Sequence, residues 1–547
     1  MGKRLLVGGS VAIVIGLCLV VLGACLNWVI FPAVVEYEVY KNLDLREGTE
    51  GWKAWVEPPV PVYMCFNFFN VTDPVGVAAG GNVSVTEIGP YCFREERLKR
   101  DILELDAEHL QYSLLLSYHY DQAETERQGC NNGSGGTCSP KDKVTILNVV
   151  LAAIGQLLQD AANNSLIHDL IDDLLKTVND GVEGKLTDCG KYDCQELEDD
   201  LFTTASIIDL TFKGVPSGAL KALDHAIHIH GADGIWGILG LDKLKLPGEF
   251  YFFMGKNGTK TNSYYTINNG RYTRNRFLAI EKFNGETTLK NEWWPKVGPN
   301  PSATAAGMGG ICHDILGTDG TQYPPYLDKK VRRWIFVGEM CRSIWLDYVQ
   351  DNQFLGIDAY EYRASEDVFD MDNPNNFCYC PNFLECMSIN DDDTYDRSNC
   401  SDTCKDGMIR VGECYGGVPV VMTAPHFFRG DQSMIDDVEG MNPELELHDT
   451  VLLIEPMSGA PLMAHKRIQI NLDLKSVAAI NKLKDVKDIL FPVFWADENA
   501  RLTQEYADMY QNTFVFAQNL TLGISIAIGF VVGGVLFIAG IWMCWKG

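Results

Sequence analysis

Two long stretches without charged residues, one near each end of the chain, constrain the fold more than any other feature. The first runs from Leu5 to Phe31 (27 residues) and the second from Leu520 to Trp545 (26 residues). Each exceeds the roughly 20 residues that an α-helix needs to cross a bilayer. The sequence therefore predicts a membrane protein with two transmembrane helices and excludes a soluble one.

The charges beside these stretches predict their orientation. Lys3 and Arg4 precede the first stretch and Lys546 follows the second, so the positive-inside rule places both termini in the cytosol. A cleaved signal peptide is the alternative at the N-terminus, but its apolar core would be only about 7–15 residues long. The predicted segments are a cytosolic tail (1–4), a transmembrane helix (5–31), one exterior domain (32–519), a second transmembrane helix (520–545) and a cytosolic tail (546–547).

The exterior segment is acidic and suited to an oxidising compartment. It carries 42 basic and 73 acidic residues, which argues against a nucleic-acid partner. It also contains 14 of the 17 cysteines, an even number suited to disulfides. Sequons at a usable distance from the membrane predict glycosylation of Asn70, Asn82, Asn132, Asn163, Asn257 and Asn399.

Short β-like runs dominate the exterior and indicate a mainly antiparallel sheet or barrel. These runs are Val60–Phe69, Tyr251–Phe253, Phe277–Phe283, Val418–Met422, Val451–Ile454 and Arg467–Leu474. Within 142–200 the apolar spacing becomes helical, with Asn163-Asn164-Ser165 interrupting two helical halves. The sequence thus predicts an α+β domain with a separate helical region.

Several short motifs, taken in order between the two apolar ends, resemble the class B scavenger receptors. That family includes lysosomal integral membrane proteins and insect sensory-neuron membrane proteins. The motifs are Glu47-Gly48-Thr49, Phe69-Asn70-Val71-Thr72-Asp73-Pro74, Glu87-Ile88-Gly89-Pro90-Tyr91, Cys341-Arg342-Ser343-Ile344, Phe377-Cys378-Tyr379-Cys380, Pro425-His426-Phe427 and Gly440-Met441-Asn442-Pro443.

The resemblance implies an antiparallel β-barrel-like domain, a helical bundle at the membrane-distal apex and an apolar tunnel leading towards the bilayer. It implies a receptor, not an enzyme, that binds a lipid, lipoprotein or protein ligand at its apex and conducts lipid. A lysosomal or endosomal protein-trafficking receptor is the alternative. Because the C-terminal tail has no room for the sorting signal of the lysosomal members, the plasma membrane is expected over a lysosomal or endosomal membrane.

The family pattern also implies disulfides between Cys312 and Cys378 and between Cys341 and Cys414. It leaves Cys380 with a nearby partner, most simply Cys386. Further local pairs would use every remaining exterior cysteine: Cys65–Cys92, Cys130–Cys138, Cys189–Cys194 and Cys400–Cys404. A zinc site among the later cysteines is disfavoured, because the oxidising compartment disfavours free thiolates.

Two clusters of polar residues are candidate metal sites, but neither matches a known metal-binding motif. His225, His228 and His230 suggest either a metal site or a pH sensor, or else a solvated strand or loop with no such role. Asp391-Asp392-Asp393 lacks the Gly and Glu that an EF-hand loop requires. The sequence therefore predicts neither a metal nor a cofactor.

Rival functions find little support in the sequence. It contains no G-x-S-x-G, H-E-x-x-H or phosphate-binding-loop motif, so an ectoenzyme is disfavoured. A two-span ligand-gated channel should leave polar or charged residues in a span, and the second span offers only Thr521, Ser525 and glycines. Gly9, Gly16 and Gly23, together with Gly529-x-x-x-Gly533, favour close helix packing within one chain or self-association of two chains.

The predicted apex departs from the resemblance in its charge. Between Asp160 and Asp200 there are 12 acidic residues and three lysines. Asp172 and Asp173 fall near positions where members that capture anionic ligands tend to carry basic residues. With Asp169 they form the candidate ligand-binding residues, and they predict a basic or neutral partner. The alternative is a helix face that its charge merely keeps soluble.

Overall fold

The structure, a computed structural model, describes residues 2–164, 168–231, 248–290, 293–294, 311–380, 388–389, 395–396 and 404–547. Its helices are α1 (Lys3–Asn42), α2 (Glu50–Val56), α3 (Pro74–Ala78), α4 (Gln122–Arg127), α5 (Val149–Asn164), α6 (His168–Val182), α7 (Gly218–Ile229), α8 (Gln432–Asp436), α9 (Leu445–His448) and α10 (Gln504–Lys546). Short helical turns lie at Cys194–Leu197, Asp209–Lys213, Arg274–Arg276, Gly338–Met340, Pro374–Tyr379, Gly412–Tyr415 and Pro425–Phe427.

The strands are β1 (Val62–Val71), β2 (Val83–Glu104), β3 (His109–Tyr120), β4 (Lys143–Leu147), β5 (Phe202–Ser206), β6 (Val215–Pro216), β7 (Glu249–Phe250), β8 (Thr259–Asn268), β9 (Ile280–Phe283), β10 (Arg333–Val337), β11 (Arg342–Phe354), β12 (Ile357–Ala364), β13 (Ser388–Ile389), β14 (Tyr395–Asp396), β15 (Met408–Arg410), β16 (Val420–Thr423), β17 (Val438–Glu439), β18 (Val451–Ile454), β19 (Pro461–Leu474) and β20 (Ile489–Arg501).

Fourteen of these strands form one sheet whose main path runs β10-β11-β12-β18-β19-β20-β1-β2-β3-β8-β9. Every pairing along this path is antiparallel, whereas β17 joins β2 in parallel. The two end strands approach each other through Gly317 and Thr318. Ile280 N–H donates to the Gly317 carbonyl (2.8 Å), and Phe336 N–H donates to the Thr318 carbonyl (2.9 Å). The sheet is therefore nearly closed into a barrel. This confirms the predicted antiparallel sheet or barrel.

Strand β1 shows how the sequence builds the barrel and attaches the apex to it. Phe66 and Phe68 lie on one face of β1 and pack with aromatic residues inside the barrel. Successive side chains of a strand point to opposite faces. Phe69, the next residue, therefore packs in the core that β1 and β2 share with α5, α6 and α7. That core joins the helical bundle to one end of the barrel, and α1 and α10 join the other end.

The helical bundle extends beyond the predicted 142–200 region. Helices α5 and α6 lie within it, but α7, the third helix of the bundle, follows β5 and β6. Ser217 caps α7 by accepting a hydrogen bond from Leu220 N–H (3.3 Å). The alternative of a strand or loop for the histidine segment was therefore wrong. Tyr251–Phe253 was also predicted as a strand, but it is a turn that follows β7.

Glycines bring the two terminal helices into close contact. A Cβ added at Gly16 would lie 2.6 Å from the Gly533 carbonyl oxygen, and one at Gly23 would lie 2.8 Å from the Gly529 Cα. A larger residue at either position would push the helices apart. The structure thus uses these faces for packing within one chain. Both helices also run past the predicted span boundaries on their exterior sides, to Asn42 and from Gln504.

Disulfides link the loops of the exterior domain. Five bridges match the predicted pairs: Cys65–Cys92, Cys130–Cys138, Cys189–Cys194, Cys312–Cys378 and Cys341–Cys414. The sixth joins Cys380 to Cys404, whose Cα atoms lie 5.4 Å apart. The predicted Cys380–Cys386 and Cys400–Cys404 pairs were therefore wrong, because a cysteine forms only one bridge and Cys380 and Cys404 bond to each other. Cys386 and Cys400 lie outside the described residues.

Candidate ligand cavity and apical surface

A cavity of about 800 Å³ lies between the inner face of the barrel and the apical helix α5. Asn148 sets the start of α5, since its side-chain oxygen accepts a hydrogen bond from Leu151 N–H (3.1 Å) and its amide donates to Asp199 (2.7 Å). The helix then presents one apolar face to the cavity, formed by Val149, Val150, Ala153, Ile154 and Leu157. This wall is aliphatic and offers a ligand no side-chain hydrogen bond.

Aromatic rings from three elements form the wall across from this helix. Phe494 of β20 lies 4.6 Å, between ring centroids, from Phe252 of the turn after β7. Phe253 of the same turn packs edge-on against Tyr118 of β3, at 5.4 Å. All four residues line the cavity. This role could not be predicted from the sequence, because the apolar run Tyr251–Phe253 has the pattern of a strand.

The membrane-proximal end of the cavity is charged instead of apolar. Arg97 donates to Glu95 (2.7 Å) and to Glu498 (3.0 Å), and the Lys466 ammonium lies 3.4 Å from Glu498. Burial opposes the charge of Arg97, but the two carboxylates outweigh it, so the pKa of Arg97 lies well above its ordinary value. Burial raises the pKa of Glu95. The resemblance predicted an apolar tunnel leading to the bilayer, and this end of the cavity does not fit that description.

Two stacked histidines lie beside the cavity on its other side. The rings of His426 and His448 are 4.3 Å apart, and both side chains are buried. Nδ1 of His448 accepts a hydrogen bond from Glu444 N–H (2.8 Å), and Nδ1 of His426 accepts one from Asn442 N–H (2.9 Å). Burial lowers the pKa of His448 to about 3, with help from His426 and Arg467. His448 therefore stays neutral over the physiological pH range.

The predicted ligand-binding carboxylates lie together on the exposed face of α6. Asp169, Asp172 and Asp173 are all exposed, while Ile171, Leu174 and Leu175 between and after them are buried. Asp172 lies 3.0 Å from Nδ1 of His168. No lysine or arginine among the described residues forms an ion pair with any of the three. Some other acidic residues of the apex are paired, such as Asp180 with Lys176 (3.0 Å). Helix α6 thus carries three exposed carboxylates that no lysine or arginine among the described residues pairs with.

The histidine cluster does not converge on one point. His225 is buried, His228 is exposed, and His230 Nε2 lies 3.1 Å from the Thr177 hydroxyl of α6. Within the described ranges no group of three His, Cys, Asp or Glu side chains could hold a metal ion. The aspartate run 391–393 lies outside those ranges. His225 thus packs within the helical bundle, and His230 contacts α6.

The predicted glycosylation sites are spread over the exterior domain. Asn82 and Asn257 are exposed, and Asn70 and Asn132 are half-buried. Asn163 lies at the C-terminal end of α5, and Asn399 lies outside the described residues. Glycosylation at these positions stays a prediction.

Comparison with known proteins places this architecture in a family. The model of the CD36 family matches residues 14–544, which covers most of both terminal helices and the whole exterior domain. The chain belongs to the CD36 family. The predicted resemblance to class B scavenger receptors is thereby confirmed.

Similar CD36-family proteins come from both lysosomal and sensory membranes. Sensory neuron membrane protein 2 of Anopheles gambiae is 28% identical over 539 residues, covering 92% of this chain and 87% of the relative. Lysosome membrane protein 2 of Homo sapiens is 26% identical over 522 residues, covering 95% and 91%. Both relatives are named as membrane proteins, in agreement with the two apolar terminal helices of this chain.

Proposed function

We propose that this protein is a membrane receptor that holds lipid in the cavity of its exterior domain. The observation that supports the proposal most is the cavity itself, about 800 Å³ in volume and walled by the apolar face of α5 and by aromatic rings. Burying hydrocarbon against such walls stabilises a complex by about 25 cal/mol per Å². A polar ligand would lose its hydrogen bonds to water along the same walls without replacement. Hydrocarbon is thus the chemistry that the walls favour.

The apical bundle is the proposed capture surface for the ligand or its carrier. Helix α6 offers three exposed carboxylates that have no lysine or arginine partner among the described residues. Such a face attracts basic partners and repels anionic particles, with a range of about 8 Å at physiological salt. The preferred partner is therefore a basic or neutral protein or lipid particle. A polyanionic lipoprotein should bind weakly.

Lipid occupancy of the purified full-length protein tests the cavity. After detergent exchange and reconstitution into nanodiscs of one synthetic phospholipid, mass spectrometry would count the cellular lipids that co-purify. In the variant Ala153→Phe a ring would project into the cavity from α5, because Ala153 lines it. This variant should retain less lipid than the unmodified protein. It should still reach the cell surface, since the cavity has room for the ring.

A matched control carries the same substitution elsewhere on the same helix. Ala161 lies two turns further along α5, is half-buried, and does not line the cavity. Ala161→Phe should therefore keep the lipid content of the unmodified protein. If the unmodified protein carries no cellular lipid, or if both variants retain equal amounts, the lipid-holding proposal is wrong.

A further inference from the structure

The cavity ends in a belt of charged side chains that come from three of the four successive strands β19, β20, β1 and β2. Lys466 of β19 lies directly opposite Glu498 of β20, which lies opposite Met64 of β1. Arg97 of β2 reaches across to Glu498, with a nitrogen–oxygen distance of 3.0 Å. Lys466, Glu498, Met64 and Arg97 all line the cavity. We call Arg97, Lys466 and Glu498 the ionic floor.

The ionic floor lies at the end of the barrel that faces the membrane. Strand β1 begins at Val62, six residues after the end of α2, which itself follows the N-terminal membrane helix. Strand β20 ends at Arg501, close to the start of the C-terminal membrane helix. The floor residues pair with positions near these two strand ends. Anything that moved straight from the cavity to the bilayer would have to pass them.

Below the ionic floor the barrel is filled. Lys99, two residues beyond Arg97 on the same strand face, is buried and donates to the Trp55 carbonyl (2.8 Å). Its ammonium lies 5.2 Å from the Trp55 ring centroid and 5.5 Å from that of Tyr112. Tyr112 in turn contacts Asp319. None of these four residues lines the cavity. The described structure therefore has a closed barrel end between the cavity and the membrane.

Ion pairs hold the residues of the ionic floor together. Glu498 accepts hydrogen bonds from both Arg97 and Lys466. Lys466 also donates one to the Asp319 carbonyl (3.3 Å). Burial opposes ionisation of Glu498, but Lys466 and Arg97 outweigh it and lower its pKa. A hydrocarbon chain threading between these groups would have to separate opposite charges in a low-dielectric interior. It could offer them no hydrogen bonds in return.

We propose that the ionic floor is a gate: it stops hydrocarbon at the membrane-proximal end of the cavity, and its ion pairs must separate before lipid can pass to the bilayer. The inference rests on the proposed lipid-holding function. It makes Arg97, Lys466 and Glu498 the residues that control passage. The lipid itself is bound by the apolar walls of the cavity above them. Occupancy and transfer are therefore separable properties of the chain.

A double variant of the full-length protein tests the gate. Lys466→Met with Glu498→Met removes one charge of each sign and leaves Arg97 paired with Glu95. In liposomes, a palmitic acid analogue with a terminal diazirine serves as the probe. With the unmodified protein, photolabelling should reach Phe253 and the α5 peptide but not the peptides of Trp55 and Tyr112. In the double variant the label should extend to those two peptides, and transfer of the probe into the liposome should become roughly tenfold faster, the effect of a barrier lowered by about 1.4 kcal/mol.

The control removes a surface ion pair of the same kind. Arg332 donates to Asp347 (2.9 Å) on the exposed outer side of the barrel, and Arg332→Met with Asp347→Asn should leave labelling and transfer unchanged. Labelling of Trp55 or Tyr112 in the unmodified protein would overturn the gate, and this result does not depend on whether a variant folds. An unchanged transfer rate in a folded, lipid-filled double variant would overturn it as well. Absence of probe from the cavity of every protein would instead contradict the proposed function.

Discussion

The apical helix α6 and the ionic floor both carry dense charge, but they hold it in opposite ways. On α6, Asp169, Asp172 and Asp173 are exposed and have no lysine or arginine partner among the described residues. In the floor, Arg97 and Glu498 are largely buried and contact each other at 3.0 Å. Water screens the first group, so that it acts on distant partners through its net charge. The charges of the second group are buried and in direct contact, so that each charge stabilises its neighbour.

Charged residues in the two regions can therefore serve different steps: those of α6 the capture of a ligand, and those of the ionic floor the passage of lipid. Exposed, unbalanced charge changes how fast a partner arrives and contributes little to stability. Buried, balanced charge has little reach, but removing one member leaves its partner uncompensated. Mutations in the two regions should therefore differ in what they change as well as in how much.

The largest difference should appear in stability when one cation is removed from each region. Arg97→Met leaves Glu95 and Glu498 buried without their shared guanidinium, which should destabilise the exterior domain by about 3–5 kcal/mol. Lys176→Met, at an exposed ion pair with Asp180 on α6, should change stability by less than about 0.5 kcal/mol. Thermal unfolding of the purified proteins, and the fraction that acquires mature glycans, would measure both. Equal effects would show that the floor is not an electrostatic unit.

How much of this contrast the sequence could predict depends on the kind of pattern involved. The exposed carboxylates of α6 alternate with apolar residues at helical spacing, so both the helix and its acidic face follow from the sequence alone. The two spans and the family motifs are equally local patterns. They gave the fold class without any knowledge of tertiary contacts.

The ionic floor could not be found in this way, because its members lie far apart in the chain. Arg97, Lys466 and Glu498 come from three strands and meet only through the register of β19, β20, β1 and β2. In the sequence, Arg97 lies in the charged run Arg94 to Arg100, a pattern typical of a solvent-exposed segment. The Cys380–Cys404 bridge was missed for a related reason, since 24 residues separate its cysteines. In each case the decisive contact is made by the tertiary fold.

A second prediction sharpens the contrast between buried and exposed groups through pH. His448 has a pKa of about 3 in the folded protein, against 6.5 for a free imidazole. As pH falls below 6.5 the unfolded chain takes up a proton that the folded protein does not, so His448 should destabilise the fold by about 2 kcal/mol at pH 5 relative to pH 7. The groups that face it are Arg467, Trp495 and His426, whose Nε2 is hydrogen-bonded to Glu87.

The test of this prediction compares a buried with an exposed histidine. In His448→Asn the amide oxygen can still accept from Glu444 N–H, but the side chain no longer titrates. The loss of thermal stability between pH 7 and pH 5 should therefore shrink. His228→Asn, on the exposed face of α7, should leave that loss as it is in the unmodified protein. A pH profile that His448→Asn does not alter would mean that other groups govern the acid sensitivity.

The smallest effect on stability, but a clear effect on binding rate, is expected at the apex. Replacing Asp169, Asp172 and Asp173 with Asn removes three exposed charges, which should change stability by less than about 0.5 kcal/mol. The association rate of a lysine-rich peptide should fall, and its dependence on salt should flatten, because the local field that attracts it is weaker. Surface plasmon resonance at several salt concentrations, with an oxidised lipoprotein as the anionic probe, would measure both binding and charge preference.

The matched control for this last test removes the same number of charges away from the apex. Glu47, Glu57 and Glu96 are exposed and lie near the membrane-proximal end of the domain or on the outer face of the barrel. Their replacement with Gln lowers the net negative charge equally, so a field that depended on total charge alone would weaken as much in this variant. Only the α6 variant should slow the lysine-rich peptide if the apex is the capture surface. Tight, salt-sensitive binding of the oxidised lipoprotein to the unmodified apex would show instead that the acidic face of α6 only keeps the helix soluble.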